Sequence, residues 1–92
     1  MSDGQAIVNP EHLRKFVADL KRFTDELKSN STRLHAQFQQ LGQTWRDQEQ
    51  AKFTAEFEQT MKAIKKFMEA TNQYMPFLKR KADAAQAYLD QR

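Results

Sequence analysis

The stretch LGQTWRDQEQAKF, Leu41 to Phe53, lies at the middle of a 92-residue chain and holds one of its two glycines and its only tryptophan. Gly42 follows a run in which apolar residues recur every three or four positions, so it reads as a left-handed helix stop. Asp47 and Gln50 then stand at capping-box spacing, with Asp replacing the usual Ser or Thr, which starts a second helix whose first apolar residues are Ala51 and Phe53. A loop over 42–46 leaves room only for an antiparallel return. The stretch therefore predicts an all-α fold, an antiparallel helical hairpin with Trp45 in its turn.

Upstream, "VNPEHL" is a start signal. Asn9 can accept a hydrogen bond from a first-turn amide, Pro10 sits where no N–H is needed, and Glu11 suits the positive helix end. This places the first helix at 9–41 behind a flexible tail over 1–8. Its apolar residues are Leu13, Phe16, Val17, Leu20, Phe23, Leu27, Leu34, Phe38 and Leu41, with a polar gap at "SNST" around Ser31. Downstream, the second helix is expected over 47–90. In it Phe57, Met61, Ile64, Met68, Thr71, Met75, Leu78, Ala82, Ala85 and Leu89 alternate four and three residues apart, a heptad seam. Pro76 interrupts it and costs roughly 3 kcal/mol inside a helix. Because the heptad phase continues across it, the expectation is one kinked helix. The alternative is a sharp break that folds the last segment back as a third helix.

The chain carries more apolar surface than one hairpin seam can use. Phe67, Tyr74, Phe77 and Tyr88 flank the second seam, and Phe16 widens the first. Burying each large side chain is worth about 1.5–3 kcal/mol. A core of this size rarely supplies more than about 3–5 kcal/mol, and with no cysteine the accessible remedy is oligomerisation. Two hairpins are thus expected to pack into a four-helix bundle, as a homodimer or with a related hairpin. Phe16, Leu20, Phe23, Leu27, Leu34, Phe38, Phe57, Met61, Ile64, Phe67, Met68, Met75 and Leu78 are expected to form the hairpin and dimer seams.

Chemistry is sparsely provided for. His12 and His35 stand far apart, neither in a metal-ligand pattern, and two scattered glycines make no phosphate loop. No catalytic residue, metal or cofactor is expected, and the chain does not read as an enzyme. Fifteen basic and twelve acidic residues, net charge +3, are interspersed. Lys62, Lys65 and Lys66 in "KAIKK" and Lys79, Arg80 and Lys81 in "LKRK" concentrate positive charge, but Glu69, Asp83 and Asp90 interrupt it. A solvated face is expected rather than a nucleic-acid or lipid surface. No apolar run reaches the roughly 20 residues of a membrane span, and "MSDGQAIVNP" lacks the basic and apolar regions of a secretory signal.

Two long helices, a short loop and a central tryptophan in a chain of this length resemble the WXG family, the ESAT-like substrates of type VII secretion. Their hallmark is Trp-X-Gly in the loop, commonly with an aromatic residue about eight positions after the Trp; here Trp45 and Phe53 hold that spacing. Asp47 occupies the glycine position. The family's C-terminal Tyr followed four residues later by an acid is also absent, since Tyr88 is followed at that spacing by Arg92 and Tyr74 by Leu78. The resemblance implies a dimeric bundle exported by a membrane-bound ATPase machine without a classical signal peptide, and no catalytic activity. It leaves Trp45 two roles, closing the end of the hairpin or forming part of a recognised surface. A cytoplasmic helical adaptor is the alternative reading.

Overall fold

The computed structural model describes residues 7–91 and contains two helices, α1 (Pro10–Leu41) and α2 (Gln48–Asp90), packed side by side in opposite directions. Residues 1–6 of the expected tail, and Arg92, lie outside the described residues. The hairpin measures 66 × 27 × 16 Å with a radius of gyration of 20.0 Å. A compact domain of this length would have a radius of about 12 Å. Two helices lying along one another cannot enclose a core, and most side chains face outward.

Both helix starts are fixed by short-range chemistry. Asn9 is extended (φ −74°, ψ 116°) and its side chain accepts from the His12 amide at 3.0 Å, ahead of Pro10 and Glu11. Asp47, also extended, accepts from the Gln50 amide at 2.9 Å, with Glu49 in the first turn. Each cap satisfies one amide that the helix itself leaves without a partner.

The end of α1 differs from the expected left-handed stop. Gly42 is right-handed, with φ −64° and ψ −14°, and no residue among those described has positive φ. The helix unwinds instead through tighter turns: the Gln43 amide donates to Gln40 O and the Thr44 amide to Leu41 O, each at 3.1 Å. Arg46 Nε then donates to Gly42 O at 3.1 Å. With the last carbonyls satisfied by loop amides and a guanidinium, no left-handed residue is required.

The contact between the helices is a heptad seam, continuous in α2 and interrupted in α1 at Leu34, which is 50% exposed. Val17 and Thr24 in α1 and Phe57, Thr71, Met75, Ala82 and Ala85 in α2 are buried; Leu13, Leu20, Leu27, Ser31, Phe38, Met61, Ile64, Met68 and Leu78 are half-buried. The polar gap of the sequence is therefore part of the seam. The Phe38 and Phe57 rings lie 4.5 Å apart. Stepping by heptads from that layer sets Ser31 level with Ile64, Thr24 with Thr71 and Val17 with Leu78. Thr24 tolerates burial because its hydroxyl donates to Lys21 O at 3.0 Å.

α2 runs through Pro76 as one helix, so no third helix folds back. Proline has no N–H to offer the Asn72 carbonyl, but Asn72 and Pro76 are both exposed and water can meet that carbonyl. The heptad phase also survives, since Met75 is buried and Leu78 half-buried on the same seam.

Candidate functional site

Two features extend beyond the hairpin seam: an aromatic cluster that carries it into the turn, and an apolar stripe left open along the molecule. The cluster begins at Trp45, half-buried, whose ring lies 6.4 Å from that of Phe53. Phe53 in turn meets Phe38 edge-on at 5.7 Å and Phe57 at 5.9 Å, and His35 stacks on Phe57 at 6.4 Å. Asp47 makes this geometry local. Its cap fixes the first turn of α2 and with it the direction in which Phe53 leaves the loop, so the two aromatics eight positions apart meet.

The expected seam residues divide into two groups. Leu20, Leu27, Phe38, Phe57, Met61, Ile64, Met68, Met75 and Leu78 are buried or half-buried between the helices, whereas Phe16, Phe23, Leu34 and Phe67 are not. Phe16 is 56% exposed, Phe23 52% and Phe67 44%. They lie on one edge of the hairpin, where the Phe23 and Phe67 rings meet edge-on at 6.2 Å. The other edge is polar: Arg14 donates to Asp83 at 2.9 Å and to Gln86 at 3.2 Å.

On α2 this exposed edge has its own regularity. Phe53, Glu56, Thr60, Ala63, Phe67, Ala70, Tyr74, Phe77, Lys81, Ala84 and Tyr88 alternate three and four residues apart, and every one is exposed. They form a second heptad stripe, each position one residue before a seam position and so turned about 100° from the buried seam. Large and small residues alternate along most of it. Tyr74 and Phe77 meet edge-on at 6.5 Å, with the Arg80 guanidinium 5.9 Å over the Phe77 ring. Sequence reasoning found the stripe's aromatics but not its order; the signal was the four-three spacing carried through the alanines. The matching outer positions of α1 are His12, Phe16, Asp19, Phe23, Glu26, Asn30, Arg33 and Gln37, so α1 adds two rings to this edge, Phe16 and Phe23, but its other positions are polar or charged and no continuous apolar stripe forms.

An open groove of 610 Å³ lies on the polar edge, floored by Val17, Met75 and Ala82 and rimmed by Arg14, Lys21, Lys79 and Asp83. All four rim residues are exposed and Arg14 is already paired with Asp83. Such exposed groups are hydrated, whereas a reacting site is built from convergent, desolvated ones. Among the described residues, no group of histidines and acids is placed to hold a metal ion. No described helix is long and apolar enough to cross a membrane.

A family model, WXG100, described as proteins of 100 residues with WXG, matches residues 5–91. Comparison with curated proteins and with solved structures gave no match.

Proposed function

The chain belongs to the WXG100 family, and from that premise we propose that it is a non-enzymatic helical hairpin of a type VII secretion system, which pairs with a second hairpin and leaves the cell as a folded bundle. The observation that carries this reading is the apolar edge left open beside the Trp45 turn. The hairpin exposes 7580 Å². A compact protein of 10.8 kDa exposes about 5,500 Å², so about 2,000 Å² is in excess. A stable dimer needs only about 800 Å² per partner. The excess includes Phe16, Phe23, Phe53 and Phe67, and covering them would remove a patch that invites aggregation.

Asp47 in the glycine position is compatible with the family's turn. The position is a helix N-cap, where Asp and Gly both serve and differ by only a few tenths of a kcal/mol. With Arg92 at the fourth position after Tyr88, export would rest on the turn or on the partner for recognition. Two measurements test the reading. Equilibrium sedimentation at micromolar concentration should give a dimer, and a well-folded monomer would remove the bundle. In the native host the chain should reach the culture supernatant and be retained when the secretion ATPase is inactivated. Retention with the ATPase intact would leave a cytoplasmic adaptor in its place.

A further inference from the structure

Resting on that dimeric reading, we infer that the second hairpin is another copy of this chain, and that the outer stripe of α2 self-pairs antiparallel in one register, Glu56 of each copy facing Lys81 of the other. Glu56 and Lys81 are the only charged residues between Phe53 and Tyr88 on that stripe, and neither makes an ion pair among the described residues. Parallel, in-register pairing would set Lys81 against Lys81 and Glu56 against Glu56. It would also set alanine against alanine and ring against ring, so that the helices could not keep an even separation. Antiparallel pairing with Glu56 on Lys81 removes both faults.

The register set by charge alone also matches size. It places Phe53 against Ala84 of the second copy, Thr60 against Phe77, Ala63 against Tyr74 and Phe67 against Ala70. Phe53, Phe67, Tyr74 and Phe77 thus each meet a small residue, the arrangement in which helix layers interdigitate, while Tyr88 at the end of the stripe faces Glu49. The same register puts the two-fold axis between Met68 and Glu69, at the middle of α2 (Gln48–Asp90), so the two helices overlap along their full length. Charge, size and overlap are independent criteria, and one register satisfies all three. Rotation about that axis sends the two Trp45 turns to opposite ends of the bundle. The stripe is thereby complementary to itself: each copy presents the charge and the space that the other requires, which favours a second copy as the partner.

Charge exchange tests the pairing. Glu56→Lys and Lys81→Glu each create two like-charge contacts per dimer and should weaken self-association about tenfold at low salt. The double variant Glu56→Lys, Lys81→Glu should restore it, and an equimolar mixture of the two single variants should form the mixed dimer in preference to either parent. Both positions are exposed and both replacements favour helix, and circular dichroism confirms that the fold is kept. Spin labels give an independent reading, since the chain has no cysteine. Labels at Lys66→Cys and Arg80→Cys should lie about 15 Å and about 35 Å from their counterparts, from the 1.5 Å rise per residue. Dimers indifferent to the charge exchange, or with equal distances at both labels, would overturn the register while leaving dimerisation standing. A monomer would overturn both.

Discussion

Replacing Trp45 by alanine separates the two roles open to the loop tryptophan. The indole is half-buried and its one ring partner among the described residues is Phe53 at 6.4 Å. A tryptophan can bury 150–250 Å², so covering about 100 Å² at 25 cal/mol per Å² is worth roughly 2.5 kcal/mol. That is an upper figure, because an unfolded chain already shields part of its apolar surface, and about 2 kcal/mol is the working value. Phe57 gives the internal standard. It is only 8% exposed and touches the rings of Phe38, Phe53 and His35, so Phe57→Ala should cost about 3–5 kcal/mol. In thermal unfolding at fixed protein concentration, Trp45→Ala should lower the midpoint by about 8–16 °C, and Phe57→Ala by clearly more. A Trp45→Ala loss equal to that of Phe57→Ala would refute the half-buried indole as drawn, and so would no loss at all. If export from the host disappears while a folded dimer persists, the exposed half of the indole serves recognition as well.

Three further substitutions test the backbone account. Gly42→Ala should raise stability by about 0.4–1 kcal/mol in urea unfolding, because Gly42 is right-handed and an added Cβ meets nothing closer than Gln39 O at 3.4 Å; destabilisation would mean a left-handed stop after all. At Asp47, glycine should cost only a few tenths of a kcal/mol and alanine about 1 kcal/mol by the same assay, and an equal loss for both would rule out the capping role. Pro76→Ala returns an N–H to the Asn72 carbonyl within a continuous helix and should stabilise by about 1–3 kcal/mol, whereas a loss of stability would show that the seam requires the proline.

What the sequence disclosed and what it hid divide along the range of the interactions. Asn9 and Asp47 act on amides three residues away, so both caps could be read directly. The α2 seam was equally legible because its apolar residues keep heptad spacing through Pro76. In α1 the same rule failed at Thr24 and Ser31, which count as polar yet fit between the helices, Thr24 by returning its hydroxyl to its own backbone. The spacing did not divide the apolar residues between the hairpin contact and the open edge, where Phe16 and Phe23 lie, because apolar character alone does not reveal on which side of a helix its neighbour stands. Gly42 was misjudged because Arg46 and the loop amides supply, from beyond the helix, what a left-handed glycine would otherwise provide.

The uneven filling of the seam also gives the hairpin a direction of closure. The large seam rings, Phe38 and Phe57, with Phe53 against them from the outer stripe, stand beside the turn, where bringing the helices together closes the shortest loop; the far end holds Ala82 and Ala85 and the exposed bridge from Arg14 to Asp83, 69 residues apart. Loop-closure entropy rises with the logarithm of length, so the contacts beside the turn form at least cost and gather the most apolar area. Zippering then proceeds layer by layer toward the termini. Under tension the order reverses: a pull on either terminus meets the alanine layers first and parts them singly, while the aromatic end holds until last. A hairpin built this way resists heat as a unit and yields to force in steps.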